Sequence, residues 1–292
     1  MTGSSVLFDA PGPRARVRNR IITGIAILGF MVVIAVVLAR LVERDQLTAE
    51  KWRPFLTGDL WRTYVWPGIE GTLTAAAVSI VLALALGFVM GVGRLSTHTG
   101  IRWVSSVFVE FFRAVPVLIM MIFAYFLYAF YEVFPSQYLA LAGVITGLTL
   151  YNGAVIAEIV RAGVHALPRG QAEASSALGL TWGQTMRSIL LPQAITSMLP
   201  VLISQLVVVL KDTALGYQIT FVEMVRQGTV IGSAYGNYIP ALIVIAALMI
   251  ALNFTLSWFA TRLEKRLRRS SRGPAPMEAE PLDLQGERSR GV

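Results

Sequence analysis

Six windows of apolar residues constrain this chain more than any other feature of its sequence. A helix needs roughly 20 apolar residues to cross the hydrocarbon core of a bilayer, and each window has about that length. Backbone groups find no water in lipid, so each window must be a helix, and the strand alternation of a barrel is absent. The predicted spans cover residues 21–39, 71–93, 106–131, 137–157, 189–210 and 238–261.

The composition excludes whole classes of protein. With 55% hydrophobic and 14% charged residues, the chain cannot be a water-soluble enzyme or a disordered chain. It has no cysteine and only two histidines, His98 and His165, so neither a metal site nor a cofactor is expected. It also lacks G-x-x-x-x-G-K followed by Ser or Thr, H-E-x-x-H and G-x-S-x-G. We therefore predict a non-catalytic membrane protein.

The distribution of basic residues predicts the orientation of the chain. With the N-terminus in the cytoplasm, the cytoplasmic segments up to Arg272 hold sixteen lysines and arginines and the outer segments seven, and Arg288 and Arg290 lie further along the C-terminal tail. The net charge of +8 is then a topology signal, and no nucleic-acid partner is expected. Residues 1–20 are predicted to be an Arg-rich cytoplasmic tail, 40–67 an outer loop and 263–292 a disordered cytoplasmic tail. Residues 21–39 resemble a signal peptide, but the apolar run is long and lacks a good cleavage site, which favours a retained anchor helix.

The loop of residues 161–188 has a pattern of its own. A helix is predicted from Gln171, with Glu173 in its first turn and small apolar side chains on one face. Gly179 fits the position that ends a helix in left-handed geometry, and Thr181 with Gln184 forms a capping box for the next helix. An amphipathic helix on lipid headgroups is the alternative, but it would carry large apolar anchors and lysines. The alanines and serines of this loop favour a surface that binds another protein.

A few polar side chains fall inside the predicted spans, where they are costly and therefore suspect. Each has two interpretations, a structural or interfacial role and a place on a transport path. Arg113 can pair with Glu110, and Pro116 can open the backbone of their helix to line a cavity. Glu158 and Arg161 form a second pair three residues apart. The same two interpretations apply to Asn152, Gln205, Lys211 and Asp212.

The loop resembles the EAA motif of ABC-importer permeases. That motif is E-A-A, three residues, G, nine residues and I-x-L-P, and this sequence departs from it only at Ser175. In the family, the loop forms a coupling helix that inserts into a cleft of the ATP-hydrolysing subunit. The resemblance implies that the contact with an ATPase is made or shaped by Glu173, Ala174, Gly179 and Pro192.

Four further segments are similar to the polar amino-acid branch of these permeases. They begin at Glu70, Glu110, Ala157 and Lys211 and read EGTLT, EFFRAVP, AEIVRAG and KDTAL. Ala114 and Val115 depart from the Gly-Thr of the family's second segment. The resemblance covers about residues 68–262 and implies an all-α polytopic fold with six transmembrane helices. One is the N-terminal anchor helix, and the other five form a MetI-like ABC type-1 core.

The resemblance also implies a function. The chain would be the permease subunit of an ATP-driven importer of polar amino acids, with glutamate or aspartate favoured, in the plasma membrane with both termini cytoplasmic. Its partners would be two ATPase copies, a second permease subunit, like or unlike, and a solute-binding protein. A stand-alone channel or secondary transporter is the alternative. The candidate residues of the substrate path are Arg113, Asn152, Lys211, Asp212 and Thr213.

Overall fold

The computed structural model describes residues 12–270, and only the backbone at residues 263, 265 and 267–270. Within this range the regular elements are helices, and no strand occurs. The longer helices are α1 (Pro13–Glu43), α2 (Trp66–Arg94), α3 (Thr99–Ala114), α4 (Val117–Phe130), α5 (Leu139–His165), α6 (Arg169–Ala177), α7 (Leu191–Asp212), α8 (Met224–Tyr235) and α9 (Tyr238–Ser270).

The membrane-spanning helices agree with an all-α polytopic fold. Five helical segments of the described chain are long and apolar enough to cross a bilayer, and a bent helix pair makes up to six. The five segments are Pro13–Glu43, Gly58–Arg94, Ser136–His165, Trp182–Ile219 and Tyr238–Arg262.

The third predicted span, residues 106–131, is not one straight helix. It is divided between α3 and α4, which meet at an angle of 100°. Pro116 lacks an N–H group and its ring clashes with the preceding helical turn, and it forces Val115 out of the helical region, to φ −84° and ψ 128°. The predicted span is therefore broken into two helices, and the break leaves irregular backbone at the position where Pro116 was expected to open the helix.

At both ends of the described residues, helix extends into segments that the sequence predicted as tails. α1 begins at Pro13, inside the segment predicted as a polar tail, because proline suits the first turn of a helix. α9 continues to Ser270, past the predicted start of the C-terminal tail at residue 263. The rest of the two predicted tails, residues 1–11 and 271–292, lies outside the described residues.

The described chain divides into two compact units. The first contains the residues up to Gly68 together with Met224–Ala247. In it the short helical turns after α1 contact the end of α8: Lys51 donates from Nζ to the carbonyl of Gly236 at 2.7 Å, and Asn237 donates to the carbonyl of Lys51 at 2.9 Å. None of the α1 residues is buried.

The second unit, Ile69–Glu223 with the chain from Leu248 onward, holds the main core. Its centre is an apolar cluster of α2, α5 and α7 that includes Ile156, Val160 and Met198. Glycines let these helices approach closely: a Cβ atom on Gly91 would lie 2.8 Å from Cβ of Val160 and 2.9 Å from the carbonyl oxygen of Ala157. Small residues at helix contacts are the usual means of close packing between membrane helices.

Candidate coupling loop and transport groove

The loop between α5 and α7 contains α6 and a sharp turn at Gly179. α6 starts at Arg169, two residues before the predicted start, so Glu173 lies in its second turn and not, as predicted, in the first. At its end, Gly179 has φ +75°. The N–H of Gly179 bonds to the carbonyl of Ser176 and that of Leu180 to the carbonyl of Ser175, at 3.0 and 3.1 Å. This is the Schellman arrangement, and it confirms the predicted role of Gly179 as the helix stop.

The helix after the turn begins as predicted. Thr181 and Gln184 form a capping box, in which each side chain accepts a bond from the other residue's backbone N–H. The helix then passes through a π-helical turn, Met186–Leu190, before α7. Pro192, near the start of α7, has no N–H to close an ordinary turn and is exposed.

One face of α6 is open to solvent, and the opposite side is anchored. Glu173, Ala174, Ala177 and Leu178 are exposed, and the Leu178 side chain is 79% exposed. Ser175 is buried, and its hydroxyl donates to the carbonyl of Gln171 at 2.7 Å. The one departure from the EAA pattern thus points away from the exposed face, which presents small side chains and one large apolar one.

The coupling loop is tied to the connection between α2 and α3. The indole N–H of Trp182 donates to the carbonyl of Leu95 at 3.2 Å. Leu95, Met186 and Leu190 also belong to the apolar cluster of α2, α5 and α7. The loop is therefore joined directly to the chain that follows Arg94 at the end of α2.

Arg94 is the centre of a cluster of five charged side chains on three helices. Its guanidinium bonds to Glu110 of α3 at 2.8 Å and to Glu158 of α5 at 2.9 Å, and its side chain is only 10% exposed. Arg161 bonds to Glu158 at 2.6 Å, which confirms that predicted pair. Glu110 lies 4.0 Å from Arg113, so its closer partner is Arg94 and not the residue suggested by the sequence spacing. The cluster joins α2, α3 and α5 at one end.

Arg113 is held less tightly than the other arginines of this cluster and faces a cavity. Its guanidinium is 3.7 Å from Glu158, longer than the 2.7–2.9 Å of a charge-assisted hydrogen bond. Two cavities, of ≈ 560 and ≈ 510 Å³, share Arg113, Ala114, Tyr151 and Val155 in their walls. We call their union the transport groove. One part reaches Gln205 and Asp212 of α7, and the other reaches Glu110 and Glu158.

The backbone break between α3 and α4 forms one wall of the groove, from Ala114 to Val117. Behind the groove, the fully buried Asn152 accepts a hydrogen bond from the Gln205 side chain at 2.7 Å, which joins α5 to α7. Among the described residues, no group of His, Asp and Glu is arranged to hold a metal ion.

The other two candidate path residues lie outside the groove lining. Lys211 is exposed beside Asp212 at the end of α7. Thr213 is fully buried, and its hydroxyl donates to the carbonyl of Leu210 at 2.7 Å. The structure thus brings Arg113 and Asp212 into one cavity, with Asn152 directly behind it. Arg94, Tyr151 and Gln205 complete the site; of these, only Gln205 was among the polar side chains singled out from the sequence.

Comparison with known proteins gives the family. Residues 83–269 match the family described as "Binding-protein-dependent transport system inner membrane component". The glutamate transport system permease protein GluD of Corynebacterium glutamicum is 53% identical over 223 residues, 76% of this chain and 82% of the relative. A probable glutamine ABC transporter permease protein, GlnP of Bacillus subtilis, is 35% identical over 206 residues, 70% of this chain and 93% of the relative.

A solved structure supports the same family assignment. The crystal structure of an amino acid ABC transporter with histidines superposes with a TM-score of 0.62 and 30% identity, covering 68% of this chain and 92% of that one. These matches decide against a stand-alone channel or secondary transporter, since ABC importers use a separate ATPase subunit and a solute-binding protein. The chain therefore belongs to the family of binding-protein-dependent inner membrane components and is a multi-pass, non-catalytic permease subunit of an amino-acid ABC importer in the plasma membrane.

Proposed function

We propose that this permease imports glutamate, and aspartate by the same route, through the transport groove. The observation that carries the proposal is the pair of opposite charges in one cavity, Arg113 on one wall and Asp212 on another. The 53% identity to a glutamate permease supports the choice of an acidic amino acid.

The groove can recognise both ends of an amino acid. A guanidinium binds a carboxylate through two parallel hydrogen bonds, and the long distances around Arg113 leave it able to exchange Glu158 for a substrate. Asp212 can accept from the substrate ammonium group, and Tyr151 and Gln205 offer further polar contacts. Lys211, exposed next to Asp212, can attract the second carboxylate of glutamate and offset repulsion from Asp212. We assign Asn152 and Thr213 to positioning, because both are fully buried.

We further propose that the exposed face of α6 is the ATPase contact. Glu173 and Ala174 would enter the cleft of the ATPase, Gly179 would set the angle of the turn, and Pro192 would hold the start of α7. Movement of the loop would pass through the Trp182–Leu95 bond to Arg94 and its partners on α3 and α5. ATP binding would in this way open or close the groove.

The assembly and orientation follow the same proposal. Two ATPase copies would each grip one coupling loop, so a second permease, like or unlike, is required. Both termini would face the cytoplasm, because sixteen basic residues up to Arg272 then lie inside and seven outside.

Uptake into vesicles tests the substrate proposal. The permease is reconstituted with its ATPase and binding protein, and uptake of labelled glutamate is competed with a panel of amino acids. Glutamate and aspartate should compete best. Arg113→Gln should reduce glutamate uptake at least tenfold, because loss of a charge-assisted bond costs about 1.5–3 kcal/mol.

Arg102→Gln is the matched control. Arg102 lies on α3 like Arg113 but bonds to the carbonyl of Ser96 at 3.0 Å and does not line the groove. It should leave uptake unchanged. Uptake of a basic amino acid or of glutamine, but not of glutamate, would contradict the acidic substrate. Equal losses in the two variants would contradict the role of Arg113.

A further inference from the structure

Another cavity lies between α7 and the last part of α9 and shares no lining residue with the transport groove. Its volume is ≈ 490 Å³, and its walls are mostly apolar. Leu206 contributes from α7, and one end carries two arginines, Arg262 and Arg266. The remaining lining residues belong to α9: Leu256, Trp258, Phe259 and Ala260.

The position of this cavity along α9 matches one leaflet of a bilayer. The apolar span of α9 ends at Arg262. From Leu256 to Arg262 the helix rises about 9 Å, which is within half of the roughly 30 Å thickness of the hydrocarbon core, and Arg266 lies about 6 Å further along the helix. The apolar end of the cavity therefore lies among acyl chains and the basic end at the headgroups, whichever side of the membrane this end faces.

The two arginines at the basic end of the cavity are placed where they can bind an anion. The Arg262 guanidinium lies 3.8 Å from the centre of the Trp258 ring, a cation–π contact that fixes its position. Arg266 follows four residues later, so both arginines lie on one face of α9. Both side chains are exposed, and the ion pairs found among the described side chains use other arginines. Paired guanidinium groups bind phosphate oxygens well.

We propose that this cavity is a binding site for one anionic phospholipid. An acyl chain lies along Leu206, Leu256 and Ala260, and the headgroup phosphate binds Arg262 and Arg266. Tryptophan is a common residue at the membrane interface, and Trp258 stacks beneath the first arginine. A net negative headgroup is preferred because a zwitterionic one carries its own cation close to the phosphate. This lipid site does not overlap the transport groove, and it adds a lipid partner to the permease.

Native mass spectrometry of the purified permease–ATPase complex tests this proposal. Phosphatidylglycerol and phosphatidylcholine are titrated separately, and bound lipids are counted per permease. One phosphatidylglycerol per permease should bind in preference to phosphatidylcholine. The double variant Arg262→Gln, Arg266→Gln should weaken that binding roughly thirtyfold, from the usual contribution of two basic residues near an anionic surface.

Two further variants separate the cavity from general charge effects. Arg18→Gln with Arg20→Gln removes two exposed arginines from α1, which do not line the cavity, and should leave the preferred lipid bound. Ala260→Trp keeps both arginines but fills the cavity, and should displace the lipid.

Three results would overturn the proposal. Equal binding of the two lipids would remove the preference for an anionic headgroup. An equal loss from the α1 double variant would indicate surface charge alone. If the Arg262, Arg266 variant bound as much lipid as before but its paired permeases dissociated, the cavity would be a contact between protein subunits.

Discussion

Substitution of Gly179 offers a sharp test of how the coupling loop works. Gly179 ends α6 at φ +75°, and a Cβ atom at this position would meet no other atom within 4 Å. Space is therefore available, and the cost of a side chain comes from the backbone alone. A left-handed conformation costs an ordinary L-residue roughly 1–2 kcal/mol, and a β-branched residue is at or above the upper end.

This cost can be converted to an expected effect on transport. About 2 kcal/mol lowers the population of the observed turn roughly thirtyfold relative to competing conformations. If the ATPase grips only this conformation, Gly179→Val should reduce ATP-driven uptake and binding-protein-stimulated ATP hydrolysis by about the same factor. The amount of permease in the membrane should not change, because the turn is exposed and outside the core.

Gly179→Asn is the matched control. Asparagine is the residue after glycine that most readily adopts left-handed geometry, so this variant should retain most of the transport. Both variants are assayed in proteoliposomes that contain the ATPase and the binding protein. Full transport by the valine variant would refute the requirement for this turn. Equal loss in both variants would show that a side chain obstructs the ATPase and that backbone strain is not the cause.

Two further predictions concern the packing beneath the loop. Arg94→Gln should lower the free energy of unfolding by about 1–3 kcal/mol, since it removes the nearly buried partner of Glu110 and Glu158 while Arg161 still neutralises Glu158. Arg40→Gln, which breaks an exposed pair with Glu43, should cost less than about 1 kcal/mol, and equal shifts of the thermal midpoint in detergent would contradict the difference. Gly91→Ala should destabilise by about 1–3 kcal/mol, because its Cβ would lie 2.8 Å from Cβ of Val160. Gly29→Ala on α1, where nothing lies within 4 Å, should not lower the midpoint, and a comparable loss there would argue against tight packing of α2 on α5.

Features set by neighbouring residues could be predicted from the sequence. The long apolar runs predict membrane-spanning helices because the required length is a property of the bilayer. Gly179 and the Thr181–Gln184 box could be identified because their hydrogen bonds join residues at most five positions apart. The Glu158–Arg161 pair is equally local. The start of α6 was misplaced by two residues, since several residues after Pro168 can begin a helix.

The broken span is an intermediate case. Pro116 indicated that the helix could open, and the φ and ψ of Val115 follow from the proline. The bend of 100° does not follow, because the directions of α3 and α4 depend on what each helix packs against. α4 packs on α5 through Met121, whose side chain leaves no room for a Cβ atom on Gly147.

Span length and local capping need no distant partner, so a helical membrane protein with an EAA-like loop could be predicted from the amino-acid sequence. Which charges meet depends on the tertiary structure. Spacing pairs Glu110 with Arg113, but Glu110 bonds more closely to Arg94, 16 residues away, and this leaves Arg113 facing the groove. Likewise, the hydrogen bond between Asn152 and Gln205 joins residues that are 53 positions apart in the sequence. Such contacts depend on the relative position and rotation of packed helices, which arise from many weak apolar contacts and which no short stretch of sequence records.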